Sequence, residues 1–539
     1  MTDSALVSEG DAGRGLGRDT LVVTACTLLS RVTGFVRVLV AAAVLSNGVL
    51  GDTYHAANTV PNLVFELVAG GVLQAFLVPT FVAARRSGGD DELGRTAGVV
   101  TAMLSLFLGL LALVLMLTAP LITSLLVADD GAAGLVADKR AVMTPMLLVF
   151  LPQIVFYGIG MVTTAALAAR RRFAAAALAP AVNNVVVIAC YLLYRASRVG
   201  EEATLDLDRV QFWLLAGGTT LAVIVFTAVP GIVLHRQGVS WRPRWEPSHP
   251  AVGALRRSVG WAVISVAGTL VPMAAAIVLG YRVEGGVAVF AMAWAFFVLP
   301  HALVAVPIAT AVSPRVAETW QRHDRRATGV LIDRSARLIV PLLLVSGAAL
   351  VALSWPVARV ASSFGQAASQ GVAPIAHALA MFGLGLLGYG MSFTMLRILF
   401  SLGEVKGASL LVVAAAAVGV VIMIVLAMWF SDPNRAAASA LGYGITQTLA
   451  AALLTLRARR VTGSPTFAAI GRVGIGSLVA ATVSGLVMFV LQLQFAETFA
   501  ASLLAIAVAA IAGAVVFVGL VGHLVGVSLW SLVGRGSRG

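Results

Sequence analysis

The chain has 539 residues, 59% of them hydrophobic and 11% charged, and a net charge of +13, with a mean hydropathy of +0.96. Water-soluble domains carry about 25% charged residues, so a soluble enzyme or nucleic-acid-binding module is excluded and a polytopic membrane protein is expected. The positive charge sits in connecting segments, which points to membrane orientation and away from nucleic acid.

Residues 1–20 are polar and Gly-rich and read as a disordered cytoplasmic tail, not a signal peptide. Apolar runs then recur at 21–45, 55–83, 96–119, 143–168, 175–194, 212–235, 258–281, 287–312, 338–357, 375–400, 408–430, 437–456, 470–492 and 499–527. At roughly 20 residues each they suit helices crossing about 30 Å of hydrocarbon, about fourteen in all. Barrel strands would be about half that length and would alternate in polarity. The fold class expected is therefore all-α and polytopic.

Basic clusters follow even-numbered spans: Arg170 to Arg172, the stretch Arg236 to Arg257, Arg315 to Arg337, and Arg457, Arg459 and Arg460. The positive-inside rule then puts both termini in the cytoplasm, and anionic lipid head groups are a secondary attraction for the same charges. The longest charged connection divides the chain into an N-terminal lobe over 21–235 with spans one to six, and a C-terminal lobe over 258–456 with spans seven to twelve. Residues 457–539 hold two further spans and a short cytoplasmic tail. The connection itself, 236–257, is rich in Pro, Trp and Arg and suits the cytoplasmic interface. A two-lobed transporter is the natural reading.

Cys26 and Cys190 fall in separate spans, so they form neither a disulfide framework nor a metal site. The sequence contains no phosphate-binding glycine loop, metal-ligand spacing or nucleophile elbow. No cofactor, metal or catalytic residue is expected.

Taken in chain order, the polar residues inside apolar spans are the informative ones, because an ionisable side chain in lipid needs a cavity or a partner. Arg31 and Arg37 in "LLSRVTGFVRVLV" lie about 9 Å apart along a helix and about 120° around it, so one broad polar sector holds both. Gly34 between them allows close approach of a ligand or another helix. Guanidinium stays charged and grips phosphate bidentately, which suits a pyrophosphate; interhelical ion pairing or snorkelling is the alternative. Asp52 stands just before the second span, either as a solvated loop acid or as a gate at the outer mouth. Within that span His55, Asn58, Asn62 and Glu66 follow helical spacing and share one face within about 80°. Such a stripe must line a water-filled path or pack on a polar helix. Pro61, Gly70 and Gly71 give the same helix places to bend. In the eighth span Pro300, Pro307 and Pro314 recur every seven residues on one face and are expected to bend or segment the helix. Arg397 lies near the cytoplasmic end of the tenth span, where it snorkels or faces a cavity.

The stretch "SRVTGFVRV...GDTYHAANTVPNLVFELVAGGVLQAFLVP" strongly resembles the opening of the MurJ/MviN lipid II flippases, in particular the actinobacterial type. Support continues in "AWAFFVLPHALVAVPIATAVSPRVAE" and, more loosely, in "LRILFSLGEVKGA". These proteins belong to the multidrug, oligosaccharidyl-lipid and polysaccharide exporter superfamily. The resemblance implies a non-enzymatic carrier with two lobes around a central cationic cavity, and two C-terminal helices forming a groove for the lipid tail. It implies alternating access in the bacterial plasma membrane. The cargo would be undecaprenyl-pyrophosphate-linked peptidoglycan precursor, moved from the inner to the outer leaflet. Arg31 and Arg37 match the family's first-helix cavity arginines and Asp52 its acid at the start of the second helix. Implied partners are lipid II or a related polyprenyl-pyrophosphate-linked saccharide and membrane lipids, with cell-wall synthesis and division proteins as candidates.

The chain departs from the family where many members carry a second-helix arginine and an acid: Phe65 and Gly70 stand there, with Glu66 alongside. The eighth-helix acid–arginine pair is replaced by Trp294 and Ala295. A less cationic cavity is expected, with Arg397 as a substitute. Alternative readings are a flippase for another polyprenyl-linked saccharide, a drug or ion antiporter of the same superfamily that would rely on Glu66, and a non-transporting scaffold.

Overall fold

A computed structural model describes residues 25–26, 28–45, 48–69, 72–127, 133–170, 172–198, 203–283, 285–363, 371–430, 434–463 and 467–525. Every regular element among them is helical. The first half comprises α1 (Leu28–Leu45), α2 (Val49–Ala69), α3 (Val72–Leu117), α4 (Ala119–Leu126), α5 (Ala133–Phe150), α6 (Gln153–Ala169), α7 (Ala174–Ser197), α8 (Arg209–Phe212) and α9 (Gly218–Arg236). A π-helical turn, Trp213–Gly217, joins α8 to α9. The second half comprises α10 (Pro250–Gly280), α11 (Gly286–Gln321), α12 (Arg325–Ala352), α13 (Ser354–Ser362), α14 (Ala373–Ser401), α15 (Val405–Trp429), α16 (Arg435–Thr462), α17 (Phe467–Gln492) and α18 (Phe499–Val525).

Twelve helices among the described residues are long and apolar enough to cross a membrane. The other two expected spans fall on helices whose side chains are described only in part. The span expected at 55–83 falls on α2 and the start of α3, and α2 carries Asp52, His55, Asn58 and Asn62 over its 21 residues. The span expected at 258–281 falls on α10, a helix of 31 residues described without interruption over Ala267–Gly280.

The chain forms two compact units, one of Met1–Val44, Ala56–Leu125 and Gly131–Gly260, the other of Leu45–His55, Leu126–Asp130 and Trp261–Gly539. The first two turns of α2, as far as His55, thus group with the second unit and the rest of α2 with the first.

In the first unit α6 packs between α3 and α9, and α7 packs on α9. α3 breaks at Gly88 and Gly89, the latter at φ +68°, and its second arm starts with Asp90, Asp91 and Glu92, acids that favour a helix N-terminus. Arg85 and Arg170 both pair with Asp90 there. The charged connection after α9 is a docked strap. Ser240 and Arg242 carbonyls lie directly over Gly94 and Gly98, one turn apart on α3, where any Cβ would collide with them. The Arg244 N–H donates to the Gly98 carbonyl at 3.2 Å, and Trp241 Nε1 donates to the Gly231 carbonyl at 3.3 Å. Arg95 grips Glu246 through Nε and Nη2, and holds that carboxyl below its ordinary pKa chiefly by hydrogen bonding.

In the second unit α14 is central, packed by α16, α11 and α12. It meets α16 through Gly385 against Gly444, and α12 through Gly383 against Gly347, contacts with no room for a side chain. Small-residue faces of this kind let membrane helices gain van der Waals contact where lipid offers no hydrophobic drive. α17 and α18 pair with each other and pack on α12 and α13, burying Met488, Ala509, Ala480 and Phe517.

Candidate functional site

On α1, Arg31 is exposed and Arg37 is partly buried. Between Ser30 and Gly34 the helix is met by Asn184 of α7, a residue only 6% exposed. Its Nδ2 donates to the Ser30 carbonyl at 3.3 Å and to Thr33 Oγ1 at 3.2 Å. The same nitrogen lies 3.3 Å from the position a Gly34 Cβ would take, so the close approach expected at Gly34 is made by another helix. At the far end of α1, Arg198 Nη1 donates to the Val44 carbonyl at 3.2 Å.

Asp52 is 3% exposed and lies in the first turn of α2, so it is no solvated loop acid. Its Oδ2 accepts from the Gly285 N–H at 2.7 Å and its Oδ1 from the Ala288 N–H at 2.8 Å. Those are the N-cap and third residues of α11, and Gly285 has no side chain to cap with. Asp52 therefore supplies from α2 the carboxylate that an N-cap Asp would supply from within. Thr53 Oγ1 bonds the buried Tyr281 hydroxyl at 2.8 Å just before that helix.

The α2 stripe is partly consumed by protein partners. Asn62 Nδ2 donates to the Asn58 carbonyl at 2.8 Å, and Asn62 Oδ1 accepts from Tyr157 of α6 at 2.9 Å. His55 is partly buried and packs edge-on against Tyr54. Pro61 lies inside α2, which continues to Ala69. The Glu66 side chain and the whole of Gly70 and Gly71 lie outside the described residues.

In the second unit Arg397 is partly buried on α14. Its guanidinium lies 4.7 Å from the Phe393 ring centroid, and Nη1 donates to Thr310 of α11 at 3.3 Å. α11 runs unbroken through Pro300, Pro307 and Pro314 over its 36 residues, so the prolines do not segment it. Among the described residues no group of three or more His, Cys, Asp or Glu is placed to hold a metal ion.

Asn184, Tyr157 and Thr310 are contact residues absent from the sequence expectations. Asn183 and Asn184 interrupt an apolar run in the same way as the α2 stripe, and that signal was available. Tyr157 and Thr310 look like ordinary lipid-span residues until their partners are seen.

A membrane-embedded arginine pair on a clipped helix, a buried carboxylate capping a second helix and a glycine-packed bundle are features to compare with known carriers. The sequence profile described as "Lipid II flippase MurJ" matches residues 41–531. The chain belongs to that family. A probable lipid II flippase MurJ of Rhizobium meliloti is 27% identical over 364 residues, 68% of this chain and just under two thirds of that relative at 66%. A lipid II flippase MurJ of Burkholderia cenocepacia is 23% identical over 69% of this chain and 71% of its own length. Among solved structures, a lipid II flippase MurJ in an inward closed conformation aligns over 93% of this chain and 98% of its own, with a TM-score of 0.73 at 16% identity. An inward-facing multidrug resistance MATE family transporter of the MOP superfamily aligns over 82% of this chain and 98% of its own, with a TM-score of 0.61 at 16% identity. The fold is thus that of MurJ and its MATE neighbours.

In the second unit Trp294 heads an aromatic cluster. Phe290, Phe297, Phe382, Tyr389 and Tyr443 surround it, with ring centroids 5.2 to 6.4 Å from its own. His301, 4% exposed, continues the cluster 4.3 Å from Tyr389. Dispersion and edge-to-face contacts between the rings hold this cluster together.

Proposed function

We propose that this chain carries lipid II from the inner to the outer leaflet of the bacterial plasma membrane by alternating access, with both termini in the cytoplasm. Membership of the lipid II flippase MurJ family over residues 41–531 is the observation that carries the reading. Arg31 and Arg37 hold the pyrophosphate, with Arg397 as a third cation and Glu66 modulating the pair. His55, Asn58 and Asn62 complete the polar lining, and Gly34, Pro61, Gly70, Gly71, Pro300 and Pro307 are the points of bending. The chain works as a carrier and performs no covalent chemistry. Asp52 acts as the outer gate, its two bonds to the start of α11 forming or breaking together. Cell-wall synthesis and division proteins are the candidate protein partners.

The test is depletion of the protein in its host, followed by measurement of lipid II in each leaflet. Accumulation of inner-leaflet precursor supports the assignment; an unchanged distribution removes it. Trp294 and Ala295 in place of a charged pair favour one second reading, a carrier for another polyprenyl-linked saccharide. That reading predicts accumulation of the other lipid-linked sugar in the same experiment. Glu66→Gln separates off the antiporter reading, which requires that variant to lose all coupling to a proton or sodium gradient.

A further inference from the structure

We propose that Asn184 is a positioning residue that sets the register of α1 and thereby the direction of Arg31 and Arg37. The inference rests on the reading of those two arginines as the pyrophosphate grip.

Of the three hydrogen bonds described between α1 and α7 with its C-cap, the two to backbone carbonyls connect residues separated by the same interval, 154 positions, once at Ser30 with Asn184 and again at Val44 with Arg198. A constant interval means the two helices run parallel without slipping, over roughly 21 Å at 1.5 Å per residue. Arg31 and Arg37 both lie between these two clips. The clips differ in kind. Arg198 caps a terminal carbonyl, which fixes the position of α1 along its axis. Asn184 fixes rotation, because the two hydrogens of one amide reach two acceptors one turn apart while its nitrogen rests against Gly34.

Rotation matters because an α-helical residue subtends about 100°. Arg37 follows Ser30 by seven residues and Thr33 by four, so it shares the clipped face, whereas Arg31 stands about 100° to its side. A slip of α1 by one residue would turn both guanidinium groups by that angle. Packing restrains α1 least around the arginines: no residue from Leu28 to Val40 is fully buried, and the buried ones, Ala41, Ala42, Val44 and Leu45, lie at its far end. Leu28, Leu29, Val32 and Val36 of α1 are exposed apolar residues that carry no rotational preference of their own. The polar clip therefore decides which way the arginines face.

The experiment uses the full chain with Cys26→Ala and Cys190→Ala, and a cysteine pair Ala41→Cys with Arg195→Cys, which keeps the interval of 154 about three turns beyond Ser30 and Asn184 on the same helix faces. Oxidative cross-linking of this pair reports register, and lipid II affinity in nanodiscs reports function. Asn184→Ala is expected to slow cross-linking and to weaken lipid II binding about fivefold to tenfold, the loss of two interhelical hydrogen bonds. Thr33→Val removes one of the same bonds from the other helix. It is expected to act in the same direction, and to add little once Asn184→Ala is present. Asn184→Ala should also add nothing to the affinity loss of Arg31→Ala combined with Arg37→Ala. Unchanged cross-linking in both single variants overturns the clip. Slower cross-linking with unchanged lipid II affinity, while the arginine variants bind weakly, overturns the positioning role. Arginine variants that bind lipid II normally sink the pyrophosphate reading, and the cross-linking rate then upholds or overturns the clip by itself.

Discussion

α1 and α14 both carry arginine into the membrane, and they are held in opposite ways. α14 is gripped by backbone-close packing at Gly383 and Gly385, and its Arg397 already has a ring and a hydroxyl as neighbours. α1 presents Arg31 exposed and depends on Asn184 and Arg198 for its place. Packing resists every small displacement, whereas a hydrogen-bonded helix can be released by breaking one or two bonds. The difference suggests a division of labour in which α14 belongs to a rigid frame and α1 presents charge to a ligand.

The largest expected effect comes from attacking the frame. Gly385→Val forces a branched side chain against Gly444, and overpacking of this sort costs about 1–3 kcal/mol or more. The thermal unfolding midpoint in detergent should fall further than for any single substitution in α1. A midpoint within a degree or so of wild type would show that α14 is not held as described.

Next come the arginines. Arg31→Ala and Arg37→Ala should leave unfolding nearly unchanged and remove most lipid II binding, because each discards a charge-assisted contact worth about 1.5–3 kcal/mol. Arg31→Lys should fall between, since an ammonium cannot reproduce the bidentate fork. Arg397→Ala should cost less binding than either, because its guanidinium is already engaged. Equal losses at all three positions would erase the contrast between the two helices.

Asp52→Ala should destabilise by about 0.5–2 kcal/mol through loss of the cap on α11. It should also increase hydrogen exchange of the Gly285 and Ala288 amides. Unchanged protection of those two amides would mean the carboxylate is not their acceptor in the membrane.

The smallest effect concerns the strap over α3. The Glu246 carboxyl is held below its ordinary value by Arg95, so the ion pair contributes fully above the unfolded carboxylate value of 4.5. Its contribution is lost as pH falls through the lowered folded value. Limited proteolysis of the Gly238–Pro250 segment should accelerate only below that ordinary carboxylate range. Glu246→Gln should show the faster cleavage at neutral pH, with little change in transport.

Much of the architecture was legible from composition and run length, because a helix that must satisfy its backbone within lipid advertises itself by about twenty apolar residues. α2 is less legible by that rule, because His55, Asn58 and Asn62 lower the apolarity of its 21 residues. Within the site, Arg31, Arg37 and Gly34 stood out because charge and small size are anomalous in lipid. Asp52 was legible as a residue and not as a role: its partners are backbone amides more than 230 positions away, which sequence spacing does not encode. The docked strap escaped notice for the same reason, since its fit depends on Gly94 and Gly98, two ordinary glycines until a carbonyl rests on each.

The most direct measurement is transbilayer movement of lipid II in proteoliposomes holding either the wild-type chain or the Arg31→Ala, Arg37→Ala double variant at equal folded density. The account predicts lipid II reaching the opposite leaflet with wild type and movement at or near the protein-free rate with the double variant. Comparable movement by both proteins would contradict the assignment of these two arginines as the pyrophosphate grip.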